Sequence, residues 1–285
     1  MDFLLASIID GLLLGFVYGI AAMGLTLIWG VMNVINLAHG PIIALGMFAV
    51  YLIFTELGLH PYLGLILVAA LGLLLGVLIY YVAVNRVINA PHLSTLLATY
   101  SINMIIIGVG TAVFSASPRN MDFSMGSLSL GPITLLGSRV IAAFAAVIIT
   151  SALYLFLYRT RPGRYIRAVA NNRDAAELMG VPSTRILALS FGLGTMLAAV
   201  AGALIATFFP FTILAGGVYE LKSFVIGVLG GLGNPIGALF GGLILGVLEG
   251  IIPTFMPTTW VPVLEFVLFV LILLVRPSGL FGAKK

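Results

Sequence analysis

The sequence contains no cysteine among its 285 residues, which excludes thiolate metal sites, disulfide bonds and thiol redox chemistry. Only 8% of its residues are charged, whereas soluble domains carry about 25%. A G-x-x-x-x-G-K-[ST] phosphate loop is also lacking, so the chain is not expected to hydrolyse ATP. Paired carboxylates, metal-ligand clusters and nucleophiles with an adjacent base are absent as well. We therefore predict that the chain is not an enzyme and binds neither a metal nor a cofactor.

Long apolar runs dominate what is present. Hydrophobic residues make up 61% of the sequence and the mean hydropathy is +1.23, which is typical of a membrane protein. The net charge of +4 lies in short clusters beside these runs, so it indicates membrane orientation and not nucleic-acid binding. Because a hydrocarbon core needs roughly 20 apolar residues per helix, we predict an all-α bundle of about eight to nine transmembrane helices, forming a single domain over residues 1–285. The candidate spans are Ile8–Trp29, Pro41–Phe54, Tyr62–Val84, Ser94–Phe114, Val140–Tyr158, Ile186–Phe208 and Trp260–Val275.

The distribution of basic residues predicts the orientation of these spans. Short cytoplasmic loops are enriched in Lys and Arg. The segment Arg159–Arg185 is rich in arginine, and Arg276, Lys284 and Lys285 lie near the C-terminus, so both regions are predicted to be cytoplasmic. Counting crossings backwards places the N-terminus outside and predicts a longer outer loop at Ser115–Gly137.

A further apolar stretch, residues 221–252, is interrupted by Gly and Pro at Gly230–Pro235. Since an even number of crossings must join two cytoplasmic regions, this stretch is predicted to enter and leave by one face as a helical hairpin. Its first arm, Leu221–Gly230, would be roughly 15 Å long. That length favours a broken or re-entrant helix, which survives at membrane depth only when it is buried in protein or lines a cavity.

The arginine-rich segment also has a helical signature. Its polar residues recur at spacings of three and four, which places them on one helix face; these are Arg164, Arg167, Asn171 and Asp174. Asn171 or Asn172 is predicted to cap a second short helix, and Gly180 followed by Pro182 is a helix stop. The alternative is a solvated loop whose arginines only fix the topology.

Four stretches of the chain resemble one known family. The segment RPGRYIRAVANNRDAAELMGV ends in a sequence similar to the EAA-and-glycine loop of ABC importer permeases, and as a whole it resembles the branched-chain amino acid permeases, the hydrophobic amino acid uptake family. The other stretches are GLLLGFVYGIAAMGLTLIWGVMNVINLAHG, NAPHLSTLLATYSIN and KSFVIGVLGGLGNPIGALFGGLILGVLEG. Together they cover most of the chain in the order that the family has.

The resemblance implies a type II ABC importer fold in the bacterial inner, or plasma, membrane. It further implies a second homologous permease subunit, two ATPase subunits that bind ATP and Mg, and a periplasmic or lipid-anchored substrate-binding protein. The arginine-rich segment at residues 159–185 would then be the part that touches an ATPase. By this resemblance the coupling residues are Arg164, Arg167, Asn171, Asp174, Glu177, Leu178 and Gly180.

Polar residues inside a membrane are costly and are therefore candidates for a substrate pathway. Asn33, Asn36 and His39 recur at three-residue spacing, which places them on one face at the end of the first helix, just before a break at Gly40 and Pro41. The alternative is that the asparagines cap helix ends and the histidine satisfies a carbonyl. The full set of pathway candidates is Asn33, Asn36, His39, Tyr100, Asn103, Gly233 and Asn234; of these, Tyr100 and Asn103 are predicted to share one side of the fourth helix.

The acidic residues near the spans decide between two classes of transporter. Asp10, Glu249 and Glu265 are each predicted to lie near an outer helix end in contact with water, and Glu220 and Lys222 are predicted to be anchors at the outer surface. An ion-coupled secondary transporter would need carboxylates near the midplane. We therefore favour an importer permease for branched-chain or other hydrophobic amino acids, with urea or short amides as the alternative cargo.

Glycine spacing predicts how the helices pack. Gly11, Gly15 and Gly19 recur every four residues, as do Gly242, Gly246 and Gly250 later in the chain. Small residues at this spacing form a stripe along which two helix backbones can approach closely in lipid. Contact between paired permeases or gating is the alternative use of such stripes.

Overall fold

The protein was analysed as a computed structural model, which describes residues 2–130, 133–276 and 278–282. Two residues on which the orientation was predicted, Lys284 and Lys285, lie outside the described part. Within it, nine helices are long and apolar enough to cross a membrane. The predicted all-α polytopic fold is therefore confirmed.

The described residues form twelve α-helices and one small β-hairpin. The helices are α1 (Asp2–Met32), α2 (His39–Leu57), α3 (Pro61–Ile79), α4 (Asn85–Val87), α5 (His92–Phe114), α6 (Gly137–Arg159), α7 (Arg161–Asn171), α8 (Arg173–Leu178), α9 (Ser183–Ile205), α10 (Gly216–Gly230), α11 (Pro235–Phe255) and α12 (Val261–Val275). A π-helical segment, Tyr80–Val84, joins α3 to α4, so that Pro61–Val87 is one candidate span. Strands β1 (Ser127–Leu130) and β2 (Ile133–Leu136) pair antiparallel in the predicted outer loop, with Ser127 opposite Leu136.

Helices α1 and α9 form the centre of the bundle, and α5 and α12 lie at its periphery. Most of α1 and α9 is buried, whereas most of α5 and α12 is exposed. The exposed residues of α5 and α12 are mainly large apolar side chains. Such surfaces suit lipid or a neighbouring membrane subunit, because neither requires a polar partner.

The glycine stripes pack α1 against α11, as their spacing predicts. A methyl group on Gly15 would lie 2.7 Å from the carbonyl oxygen of Gly242, and one on Gly19 would lie 3.3 Å from the Cα of Leu239. The two backbones are thus too close for side chains at these positions. Dispersion between closely packed backbones is the main attraction between helices in lipid.

The connection between α1 and α2 differs from the prediction. Helix α1 ends at Met32, Asn33 has φ +52°, and residues 33–38 are not helical. The expectation that Asn33, Asn36 and His39 share one helix face is therefore wrong. Asparagine readily adopts a left-handed conformation and ends the helix early. Pro41 does not break a helix; it lies in the first turn of α2, where a missing N–H costs little.

Helix α2 begins near the middle of the bundle. The Asn103 Nδ2, halfway along α5, donates to the Leu37 carbonyl at 2.5 Å. The His39 Nε2 lies 2.9 Å from the Ala21 carbonyl, in the middle of α1. The non-helical residues 33–38 therefore carry the chain back from the end of α1 to mid-depth, where the N-terminus of α2 is buried.

The predicted break in the stretch 221–252 is present, but its first arm is longer than expected. The α10 span runs over Ile213–Gly230, 18 residues including a 3-10 turn, so the predicted start at Leu221 is wrong. Gly216 and Gly217 lie in the first turn of the helix. Gly231 and Gly233 form the turn with φ of +95° and +87°, a conformation that glycine adopts without strain.

This turn lies level with helix ends and not at the middle of the bundle. Gly233 packs on Gly30, close to the end of α1, and the Leu280 N–H beyond α12 donates to the Leu229 carbonyl at 2.8 Å. The same end of the bundle carries α7 and α8, because Arg167 contacts both α6 and a cavity lined by this turn. We call it the basic end.

Candidate functional site

Helices α7 and α8 form a polar element that stands on the basic end. Ile166 and Val169 bury one side of α7, while Arg164, Arg167 and Asn171 are exposed on the other. Asp174 does not continue this face, because the chain leaves the helical conformation at Asn172, with φ −156° and ψ 107°. The expectation of one continuous face is thus correct for the three α7 residues and wrong for Asp174.

The predicted second helix is confirmed as α8. The Asn172 Oδ1 accepts a hydrogen bond from the Ala175 N–H at 2.9 Å, which caps its N-terminus. Gly180, with φ +80°, ends the element before Pro182. The segment is therefore a short helix pair and not a solvated loop.

Arginine side chains brace this helix pair against the bundle. The Arg167 Nε donates to the Leu157 carbonyl at 3.2 Å, and its guanidinium carbon lies 4.5 Å from the centre of the Tyr158 ring. Arg173 binds Glu177 at 3.1 Å and the Asn89 Oδ1 at 3.2 Å, which ties α8 to the loop before α5. These contacts connect α7 to α6 and α8 to the residues before α5.

The tip of α8 exposes two large apolar side chains. Leu178 and Met179 are 89% and 85% exposed, next to the exposed Glu177 and Gly180. Because they project from the polar basic end, hydrocarbon does not explain their exposure as it does for α5 and α12. Such a pair is typical of a contact with another protein. Sequence reasoning included Leu178 but missed Met179, although an apolar dipeptide before a helix stop in a polar segment was a visible signal.

A buried polar cluster surrounds the start of α2. Asn36 and His39 are 1% and 0% exposed, and Asn103 is 9% exposed. The Asn36 Oδ1 accepts a hydrogen bond from the Ala38 N–H at 3.1 Å, and the other two side chains contact backbone carbonyls as described above. The contact of His39 with a carbonyl is the one that the alternative interpretation expected, whereas Asn36 does not cap α2, whose N-terminus has no side-chain cap.

Three polar atoms of this cluster remain without a hydrogen-bond partner among the described residues: Asn36 Nδ2, His39 Nδ1 and Asn103 Oδ1. A carboxylate stands beside them, since Glu220 of α10 accepts a hydrogen bond from the Gly40 N–H at the N-terminus of α2. That position suits a negative charge, because the free N–H groups of a helix end carry partial positive charge. The cluster can therefore form further hydrogen bonds, to water or to a polar solute, at mid-depth.

The remaining pathway candidates lie elsewhere. Tyr100 is 49% exposed whereas Asn103 is 9% exposed, so the two residues have different surroundings although they lie three positions apart on α5. Asn33 is exposed. Gly233 and Asn234 lie in the turn at the basic end, where the Asn234 Oδ1 caps α11 by accepting from the Gly237 N–H at 3.1 Å. The structure thus brings together Asn36, His39 and Asn103 only.

Sequence reasoning missed a buried ion-pair network. The Lys222 Nζ lies 2.5 Å from Glu249 Oε2 and 3.3 Å from Glu265 Oε1, and the Tyr18 hydroxyl donates to Glu249 at 3.3 Å. Lys222 and Glu265 occupy the middle of the spans Ile213–Gly230 and Thr258–Val275. The prediction of outer-end carboxylates and a surface lysine is therefore wrong for these residues, and also for Glu220 beside α2.

Charges isolated within apolar stretches were the available signal for this network. Their pairing joins α1, α10, α11 and α12, which are distant in sequence, so spacing alone could not reveal it. Asp10 differs, because it pairs with Arg139 at the start of α6, near the opposite end of the bundle, and its side chain is 32% exposed.

The chain matches the family model described as branched-chain amino acid transport system / permease component over residues 7–275. It is 31% identical over 309 residues to the high-affinity branched-chain amino acid transport system permease protein LivH of Escherichia coli K12, covering 98% of this chain and 96% of that protein. It is 28% identical to BraD of Pseudomonas aeruginosa, a permease with the same description, over 98% and 95% of the two chains.

A more distant relative is named for a different cargo. The ribose import permease protein RbsC of Escherichia coli K12 is 29% identical over 238 residues, covering 79% of this chain and 71% of that protein. No solved structure matches the chain. Since the family model covers nearly the whole bundle, from α1 to the end of α12, the chain belongs to the branched-chain amino acid transport permeases and is a permease subunit of an ABC importer.

Proposed function

We propose that the chain passes branched-chain or other hydrophobic amino acids across the membrane by alternating access, driven by partner ATPases through α7 and α8. The observation that carries this proposal is the braced helix pair with Leu178 and Met179 exposed at its tip. An ATPase that moves would displace α8, and the contacts of Arg167 and Arg173 would pass that displacement to the transmembrane helices. The proposed coupling residues are Arg164, Arg167, Asn171, Asp174, Glu177, Leu178 and Gly180, with Met179 added.

We further propose the subunits and the orientation of the complex. A second permease chain would complete the membrane core, two ATPase subunits would bind ATP and Mg, and a substrate-binding protein would deliver the cargo. The arginines of α7 and α8 favour a cytoplasmic basic end. With that assignment the N-terminus would lie outside and the C-terminus in the cytoplasm of a bacterial-type inner membrane.

For the substrate pathway we propose Asn36, His39 and Asn103 as the mid-depth polar groups. Their unpartnered atoms could hydrogen-bond a passing solute without holding it tightly. High affinity would then come from the binding protein. Asn33, Tyr100, Gly233 and Asn234 stay candidates at other points of the route, the last two at the turn on the basic end.

Uptake by the reconstituted complex tests the cargo. ATP-dependent uptake of labelled leucine should be inhibited by excess isoleucine and valine and not by urea or acetamide. Inhibition by the amides alone would support the alternative cargo of urea or short amides, and ATP-independent uptake would contradict the proposed energy source.

One observation favours the second class of transporter that the sequence left open. Glu249 and Glu265 do lie at the depth that ion coupling requires. Both carboxylates, however, face the ammonium group of Lys222, so we propose that they join helices and do not carry ions. If Glu265→Gln abolished uptake driven by a proton gradient without ATP, this role would be replaced by ion coupling.

A further inference from the structure

A groove runs between α1, α6 and α11 at the basic end of the bundle. It consists of two cavities of about 470 Å³ each, which share Leu157, Tyr158, Asn234 and Pro235 as lining residues. We call it the lateral groove. From Tyr158 it follows α6 to Thr150, a rise of roughly 12 Å along the helix.

The two halves of the lateral groove differ in chemistry. The half at the basic end is lined by Arg167 of α7 and by the polar turn before α11. The half within the span is lined mainly by apolar side chains of α1, α6 and α11, among them Met23, Leu153 and Leu239. A ligand that fits both halves needs a polar head at the bundle end and an apolar tail.

The charge at the head end is positive. Among the described residues that line the two cavities none is acidic, and Arg167 contributes a cation. The N-terminus of α11 at Pro235 points to the same place and adds the partial positive charge of a 21-residue helix. The Arg167 Nε is bonded to Leu157, which leaves the terminal nitrogens of the guanidinium for a phosphate.

A second groove on the same bundle provides a comparison with the lateral groove. It lies between α3, α6 and α9 with a volume of about 510 Å³, and of the described residues that line it none is basic. Acyl chains of any lipid could fill it. Of these two grooves, as the described residues line them, the lateral groove alone combines an apolar trough with a cation at its end.

From this combination we infer that the lateral groove binds an anionic phospholipid, with its phosphate at Arg167 and an acyl chain between α6 and α11. Basic pockets between transmembrane helices at the headgroup level are suited to such lipids. Because Arg167 also braces α7, the lipid would contact the coupling helix directly. The bound lipid thereby becomes a structural part of the link between α7 and the bundle.

The test uses the assembled transporter in mixed micelles with equal amounts of phosphatidylglycerol and phosphatidylcholine, and native mass spectrometry of the lipid retained. We expect phosphatidylglycerol to be retained about tenfold over phosphatidylcholine, because both lipids offer a phosphate but the choline cation of phosphatidylcholine is repelled by Arg167 and leaves that lipid without net charge. Arg167→Gln should remove this preference, whereas Arg161→Gln, an exposed arginine of the same helix outside the groove, should keep it. Equal retention of both lipids, or equal loss in both variants, would overturn the inference.

A second pair of variants tests the acyl trough. Ser151 lines the groove, and Ser101 lies on α5 away from it; both are exposed and bond the carbonyl four residues earlier at 2.8 Å. Ser151→Trp should reduce retained phosphatidylglycerol about tenfold, and Ser101→Trp should leave it unchanged. Since the chain has no cysteine, a photoreactive label on Ser151→Cys can identify the occupant. Cross-links to lipid support the inference, and cross-links to a partner subunit would show that the groove is a protein interface.

Discussion

Removing the ammonium group of Lys222 should destabilise the bundle far more than removing either carboxylate that it binds. Lys222 lies between Glu249 and Glu265 with a side chain only 11% exposed, and that of Glu265 is 6% exposed. Lys222→Met would leave two carboxylates without a cation in an apolar setting. Breaking a buried ion pair in this way costs roughly 3–5 kcal/mol.

Replacing a carboxylate of this network should lower the free energy of unfolding much less than replacing Lys222. Glu265→Gln keeps the ion pair between Lys222 Nζ and Glu249 Oε2 at 2.5 Å. It leaves one carboxylate and one ammonium group, whose charges cancel. We expect a loss of about 1 kcal/mol, the value of one ordinary hydrogen bond. Lys222→Met combined with Glu249→Gln should recover part of the loss of Lys222→Met, because one uncompensated charge is removed.

The free energy of unfolding measures this asymmetry. Each variant can be unfolded by sodium dodecyl sulfate in mixed micelles and followed by the fluorescence of Trp29 and Trp260, the two tryptophans of the chain. If Lys222→Met cost less than about 1 kcal/mol, or no more than Glu265→Gln, the network would not be a buried junction of four helices. The reasoning about its depth would then be refuted.

Other predictions concern coupling and the turn. Charge reversal at Arg167 or Asp174 should lower substrate-stimulated ATP hydrolysis severalfold with normal membrane insertion; normal hydrolysis in both variants would contradict the role of α7 and α8. Leu178→Asp should weaken co-purification of the ATPase, whereas Leu214→Asp, on a leucine before α10 that is 54% exposed, should not. Gly233→Leu should block uptake, because a side chain there needs φ +87° and meets Gly30; uptake at the normal rate by a fully expressed variant would argue against a rigid turn.

The sequence predicted those parts of the fold that depend on local pattern. The length of the apolar runs predicted the helices. The four-residue spacing of the glycines around Gly15 and around Gly242 predicted close helix packing, which occurs between α1 and α11, because small residues every four positions line one face. Asn172 and Gly180 gave the ends of α8, because a cap and a left-handed glycine act within one turn. Each of these features is determined by residues only a few positions apart in the sequence.

Features that depend on depth were not predictable in this way. Lys222 is predicted at the surface because the start of α10 is placed at Leu221, five residues late, which moves the lysine to a helix end. His39 was placed on α1, although an early helix end at Asn33 moves it to another helix. In both cases one misplaced boundary changes which residues meet at mid-depth.

The early end of α1 has a consequence for how the permease could change state. A helix that begins inside the bundle exposes N–H groups where no water is at hand, so its first turn needs partners from other helices. Here Glu220 of α10 supplies one and Asn103 of α5 holds the preceding backbone. Helix α5 is also the helix next to the loop that Arg173 binds. Under the proposed coupling role, movement of α8 would reach the start of α2 through α5. This route would connect the exposed tip of α8 to the polar groups near α2 that have no hydrogen-bond partner among the described residues.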